Sequence, residues 1–194
     1  TYIKTNGGLV VALPNIRKRL QKLAVAATDS TGTDYFVIFN TGLHDINKLC
    51  LKAERKNRAP LIHNVSDIDF SCVQLYRESL TELVTEVAAF PARLRVWQTT
   101  TAGWPKWGMY AASWPGDVKQ KLPLAPNFVA YFNEIAWEVI HDTFQFPVMD
   151  AFWMSLSRPD QRSIHGNNRI QANLAHAGPE VYSVLMRTWT MMIM

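Results

Sequence analysis

The chain predicts an α/β domain on a mostly parallel sheet, and two observations carry that expectation. Short apolar, strand-like runs alternate with longer segments of helical period, the pattern of strands joined by crossover helices and covered on both faces. One run, Phe36-Val37-Ile38-Phe39, has the composition of a strand buried on both faces. It gives way at once to Asn40-Thr41-Gly42-Leu43-His44-Asp45. That switch puts polar side chains at the carboxyl end of the strand, where open α/β sheets bind their ligands.

The elements follow in order. Residues 14–27 carry Ile16, Leu20, Leu23 and Ala24 on one helical face. Thr28 to Thr33 is rich in Ser, Thr, Gly and Asp and reads as a loop; a strand over 35–40 follows. Residues 44–64 are mixed and partly helical. Ser66 is a candidate N-cap, with Asp67 and Asp69 favourable near a helix N-terminus. Val73, Leu75, Tyr76, Leu80, Leu83, Val84 and Val87 continue it as a long amphipathic helix to residue 89, and Pro91 lies beyond its end. Arg93 to Thr100, with Leu94, Val96 and Trp97, predicts the next strand. Residues 101–126 hold Trp104, Trp107, Trp114, four prolines and three glycines. That is a long aromatic loop over one sheet edge, of a length that tends to be functional. A helix over 127–143 has Phe128, Phe132, Ile135, Val139 and Ile140 as its apolar stripe. Phe146 to Trp153 reads as a last strand and 157–175 as a polar loop. Pro179 opens a terminal helix in which Met191 and Met192 are core.

Composition bounds the rest. The 194 residues suffice for one domain, 1–194, with its own core; 48% are hydrophobic and 19% charged, which excludes a disordered chain. The formal net charge of +4 is dispersed. Its densest run, Arg17-Lys18-Arg19 with Lys22, falls in a helix and reads as a solvated face, so no nucleic-acid partner is expected. No apolar run approaches the ~18–20 residues that span a bilayer. The first residue is Thr and no signal peptide is visible, which leaves a leader upstream open. Cys50 and Cys72 form either one bridge in an oxidising compartment or two buried thiols. His44 and Asp45 have no second His/Asp/Glu set at ligand spacing, so no metal is expected. No Gly-rich phosphate loop occurs, which argues against a nucleotide cofactor. His63 reads as a loop residue, and His141, near a helix C-terminus, has no catalytic role.

Two polar clusters follow separate strands. The first is Asn40, Gly42, His44 and Asp45. The second runs from Arg158-Pro159-Asp160 to Asn173-Leu174-Ala175-His176-Ala177-Gly178-Pro179-Glu180. A His just before a helix is well placed to be locked as a general base. An Asn side chain and a Gly backbone N–H are suitable donors to an oxyanion. The competing reading of a polar residue at a strand end is an ordinary turn former.

The ordered set of motifs resembles a known family. Phe39-Asn40-Thr41-Gly42 with His44 looks like the third block of the SGNH/GDSL-type esterase superfamily, in the form found in its PC-esterase and trichome-birefringence-like branch. His176-Ala-Gly-Pro-Glu-Val-Tyr, followed by Leu185, resembles the last block, where the catalytic His precedes the C-terminal helix. Val96-Trp97-Gln98-Thr99-Thr100 and Val148-Met149-Asp150-Ala151-Phe152 look like the intervening strands. The resemblance implies a three-layer α/β/α sandwich and ester hydrolysis or O-acyl transfer, often on O-acetylated carbohydrate, with no cofactor. Asn40 then resembles the side-chain oxyanion donor, aided by Gly42, and His176 the base that deprotonates a nucleophilic Ser. His44, Trp104 and Trp107 would face an acylated small-molecule or glycan substrate, the indoles by stacking on sugar faces; packing of the loop is the equal alternative for the tryptophans. By family resemblance the compartment is the secretory pathway, Golgi or extracellular space.

The chain departs from the family twice. No Gly-Asp-Ser turn occurs, and Asp29-Ser30-Thr31-Gly32 sits immediately before the Asn40 strand, in the wrong place. The expectation is a truncated domain whose first strand and nucleophile turn lie upstream, with Gly7 or Gly8 as a second oxyanion donor. The family also has Asp three residues before its His, where this chain has Asn173. An amide orients imidazole without stabilising imidazolium, a change that costs ~10⁴ in turnover in the serine-protease triad. Asp160 is the alternative acid and His165 the alternative base; the residues after His176 favour His176. A catalytically inactive, glycan-binding module of the same fold is the rival reading.

Overall fold

The computed structural model describes residues 8–29, 34–42, 45, 70–102, 126–158, 162–165, 171–177 and 179–194. The elements in chain order are α1 (Leu9–Asp29), β1 (Phe36–Phe39), α2 (Phe70–Ala89), β2 (Leu94–Gln98) and α3 (Pro126–Trp137), which runs into a π-helical turn, Glu138–Thr143. Then come β3 (Val148–Met149), α4 (Ala151–Leu156), β4 (Arg162–His165), β5 (Gln171–Ala177) and α5 (Pro179–Ile193). Among the described residues, the structure is mixed helix and strand around a small, open, three-stranded parallel sheet of order β1-β2-β3. The β4–β5 pair is antiparallel and separate from it.

Strand alternation divides the core. Val37, Phe39, Trp97 and Val148 join a large cluster with α1, α2 and α3. Ile38, Leu94, Val96 and Met149 join a smaller one with Val181 and Leu185 of α5. Helices α2 and α3, which connect β1 to β2 and β2 to β3, thus lie on the same side of the sheet. Two crossovers of one hand advancing in one direction require that placement. Arg95 ties β2 to the end of α2: its guanidinium donates to the carbonyls of Val87 (2.9 Å) and Phe90, the carbonyls a helix C-terminus leaves without intrahelical partners.

Several expectations are corrected; Met191, expected in the core, is exposed. Helix α1 begins at Leu9, not at residue 14. Leu9 and Leu13 extend the buried stripe of Ile16 and Leu20 by one turn, and Asp45 accepts the Leu9 N–H (2.5 Å), so Pro14 lies inside the helix. The helix also continues through Asp29, past the expected start of the loop. Strand β1 is half-buried throughout rather than buried on both faces; it is an edge strand, whereas central β2 carries the fully buried Val96 and Trp97. The expected last strand shrinks to Val148–Met149. Asp150 caps a new helix there, its carboxylate accepting the Trp153 N–H, and Ala151, Phe152 and Ser155 are its buried face. The polar loop over 157–175 contains β4 and most of β5. The sequence between them holds Gly166-Asn167-Asn168, a turn signal that the polarity of the segment disguised.

Cys72 is disulfide-bonded, so the thiol alternative does not hold. Cys50, the chain's other cysteine, lies outside the described residues, as do the candidate N-cap Ser66, the mixed segment 44–64 (His63 included) except for Asp45, and the Trp-rich loop 101–126 except for Thr101, Ala102 and Pro126. Among the described residues, no helix is long and apolar enough to cross a membrane.

Candidate functional site

The carboxyl ends of the three parallel strands carry a connected polar network. It starts where β1 ends. The side chain of Asn40 crosses to β2, its Nδ2 donating to the Gln98 carbonyl (2.8 Å) and to Thr100 Oγ1 (3.2 Å). The Thr100 hydroxyl donates in turn to the Thr41 carbonyl (2.5 Å). Both amide hydrogens of Asn40 are therefore engaged within the protein.

Gly42 sits beneath this arrangement. Its φ is +118°, and a Cβ there would lie 3.2 Å from Thr100 Oγ1 and 3.5 Å from the Tyr76 hydroxyl. Backbone conformation and crowding both call for glycine. The Tyr76 hydroxyl meets Thr41 Oγ1 at 2.9 Å. Burial, and secondarily the charge of Asp45, push the Tyr76 phenol well above its ordinary pKa; the Thr41 hydrogen bond opposes them. Tyr76 thus stays protonated at neutral pH. Asp45 is itself buried and joins this edge to the N-terminus of α1, where a carboxylate complements the exposed N–H groups and the helix dipole.

The end of β2 is fixed from two sides. Asn133 of α3 takes the Thr100 N–H on Oδ1 (2.9 Å) and gives Nδ2 to the Thr100 carbonyl (3.0 Å). Thr99 donates its hydroxyl to Asp150 (3.0 Å) and accepts the Phe152 N–H (2.8 Å), binding β2 to α4. Ser155 accepts the Ala102 N–H (2.8 Å) and donates to carbonyls of its own helix. Thr99, Thr100 and Ser155 thus each direct the hydroxyl to a carbonyl or carboxylate.

The predicted residues divide accordingly. Asn40 and Gly42 are brought together at the sheet edge. Asn173 and His176 both lie on β5, Asn173 opposite Ser163. The register jumps between Arg162 and Ser163, so residues 174–176 fall between successive pairs and His176 lies in that irregular stretch. Such bulges occur preferentially where a strand re-aims a side chain. The side chains of β4 and β5 are outside the described residues, as are Asp160, His44, Trp104, Trp107, Trp114 and Gly7. Gly8, the other glycine considered as an oxyanion donor, is buried at the start of α1 with φ +80°. His141, whose side chain is described, stacks on Trp137 at 4.7 Å and meets Asp142 through Nδ1 (2.9 Å). Among the described residues, no group of three or more His, Cys, Asp or Glu side chains is placed to hold a metal.

Sequence reasoning missed Thr100, Asn133, Tyr76 and Asp150 as members of this edge. Gln98-Thr99-Thr100-Thr101 after a buried strand was the available signal, the same apolar-to-polar switch that singled out Asn40. Asn133 and Tyr76 carried none, because each sits within an amphipathic helix and is selected only by what it packs against. No protein-family model matches the chain, and no curated protein matches it either.

Proposed function

We propose that this domain belongs to an SGNH-like esterase or O-acyltransferase, a three-layer α/β/α sandwich whose substrate is an acyl ester, O-acetyl on a glycan being the first choice. The observation that carries the reading is the pairing of Asn40 with a positive-φ Gly42 at the carboxyl edge of a parallel sheet. A side-chain amide and a backbone N–H there suit the negative charge that develops on a carbonyl oxygen during acyl transfer. His176 is the base of this reading, with Asn173 or Asp160 orienting it. The nucleophile is a Ser in a Gly-Asp-Ser turn, which this sequence does not contain.

Two assays test it. The full-length gene product is expected to hydrolyse aryl acetates or to release acetate from an O-acetylated polysaccharide, and Asn40→Ala is expected to lower kcat/KM by about 10²–10³-fold. The 194-residue chain alone is expected to remain unlabelled by a fluorophosphonate. A labelled Ser within it would show that the nucleophile had been misplaced.

One observation favours the glycan-binding alternative: the residue three before His176 is an amide, not a carboxylate. That reading expects saturable polysaccharide binding by a full-length protein that turns over no ester.

A further inference from the structure

Asn40 presents a difficulty whose resolution assigns a role to a second residue. An amide NH₂ has two hydrogens, and here one goes to the Gln98 carbonyl at 2.8 Å and the other to Thr100 Oγ1 at 3.2 Å. An oxyanion at Asn40 must take over one of them. The two acceptors differ. The Gln98 carbonyl ends a strand paired on both sides and makes the shorter bond. The Thr100 hydroxyl has given its own proton to the Thr41 carbonyl, so toward Asn40 it is a neutral acceptor at the longer distance. An ionised oxygen is the stronger acceptor, since charge-assisted bonds are about twice as strong as neutral ones.

We propose that Thr100 is the positioning residue of the oxyanion site: it holds the second amide hydrogen of Asn40 in the resting protein and yields it to the oxyanion as charge develops, while the Gln98 carbonyl keeps the amide in place. This rests on the esterase reading above. Asn133 fixes the Thr100 main chain through both polar groups, so the hydroxyl has a defined position. The hydroxyl also lies 3.2 Å from where a Gly42 Cβ would stand, so the space beside it admits only glycine at residue 42. Electrostatic stabilisation of this kind depends on donors oriented before the reaction, and misplacement of about 1 Å costs about 10²-fold.

The test is a double-mutant cycle on ester hydrolysis by the full-length protein, with Asn40→Ala, Thr100→Val and both together. Thr100→Val keeps the shape and removes the hydroxyl. It is expected to lower kcat by about 10–100-fold with little change in KM, and Thr100→Ser is expected to restore most of the rate. In the Asn40→Ala background Thr100→Val is expected to cost nothing further, because Thr100 acts through Asn40. Thr100→Ala serves the same cycle if the valine variant does not fold. Additive losses, or a loss confined to KM, would overturn the positioning role while leaving the esterase reading intact. No turnover by the full-length protein, or an Asn40→Ala variant as fast as wild type, would overturn the esterase reading and this inference with it.

Discussion

Asn133 holds Thr100 by both of that residue's main-chain polar groups, accepting its N–H at 2.9 Å and donating to its carbonyl at 3.0 Å. Both residues are buried. The pair joins α3 to the end of the central strand and takes up the main-chain groups of Thr100, just past the last ladder bond, from the Thr99 N–H to the Met149 carbonyl (3.0 Å).

Replacing Asn133 with Ala strands a buried N–H and a buried carbonyl at once. At about 1–3 kcal/mol for each unsatisfied group, the expected loss is about 2–6 kcal/mol, read as a lower urea midpoint with an unchanged slope. Asn133→Asp keeps an acceptor for the Thr100 N–H but sets a carboxylate against the Thr100 carbonyl; it is expected to be no milder.

Gly42→Ala is expected to destabilise the fold by about 1–3 kcal/mol, the range for a non-glycine residue forced into a sparsely populated backbone region. The added methyl also meets Thr100 Oγ1 at 3.2 Å, so the ester-hydrolysis rate should fall with it. A melting temperature equal to wild type would show that the backbone at residue 42 rearranges without cost.

Tyr76 makes stability depend on alkaline pH. Its folded-state pKa is raised, chiefly by burial, whereas the unfolded phenol ionises near its usual ~10. Above pH ~10 the unfolded chain therefore releases a proton that the folded chain keeps. The stabilising contribution is complete below that pH and falls by about 1.4 kcal/mol per pH unit as pH rises toward the folded value. Denaturation midpoints at several pH values between ~9 and ~11 should fall more steeply for wild type than for Tyr76→Phe. Parallel slopes would mean that Tyr76 is not protected in the folded state.

The Cys72 disulfide restricts the unfolded chain, and such bridges typically contribute about 2–4 kcal/mol. Reduction with dithiothreitol, or Cys72→Ser, is expected to lower stability by that amount. The two changes should not add, since each removes the same bridge. A protein indifferent to reductant would show that the bridge does not form in solution.

How much of this was legible beforehand depends on the range of the forces involved. The period of Val73, Tyr76, Leu80, Leu83, Val84 and Val87 defines α2 because a helix face repeats within a few residues, and all six are buried, whereas Leu75, expected with them, falls off that face and is exposed. Phe36–Phe39 was legible as a strand by composition, but its half-burial was not, since edge position is a property of the sheet. Helix α1 shows the limit clearly. Pro14 reads as a natural helix start, and it is the burial of Leu9 and Leu13 together with Asp45, 36 positions beyond Leu9, that makes Leu9 the first residue instead.

The candidate site divides in the same way. The sequence alone determined that an apolar strand ends in Asn40-Thr41-Gly42, that His176 falls just ahead of the terminal helix, and that no Gly-Asp-Ser turn is present. These are matters of order, composition and local period. Only the tertiary structure decided what Asn40 touches. Its partners Gln98 and Thr100 lie 58 and 60 residues further along the chain, and they meet it because parallel pairing of β1 with β2 sets the two strand ends side by side. Hydrogen bonds act over about 3 Å of space and carry no trace of separation along the chain, so the roles of Thr100 and Asn133 emerge only once the sheet is assembled.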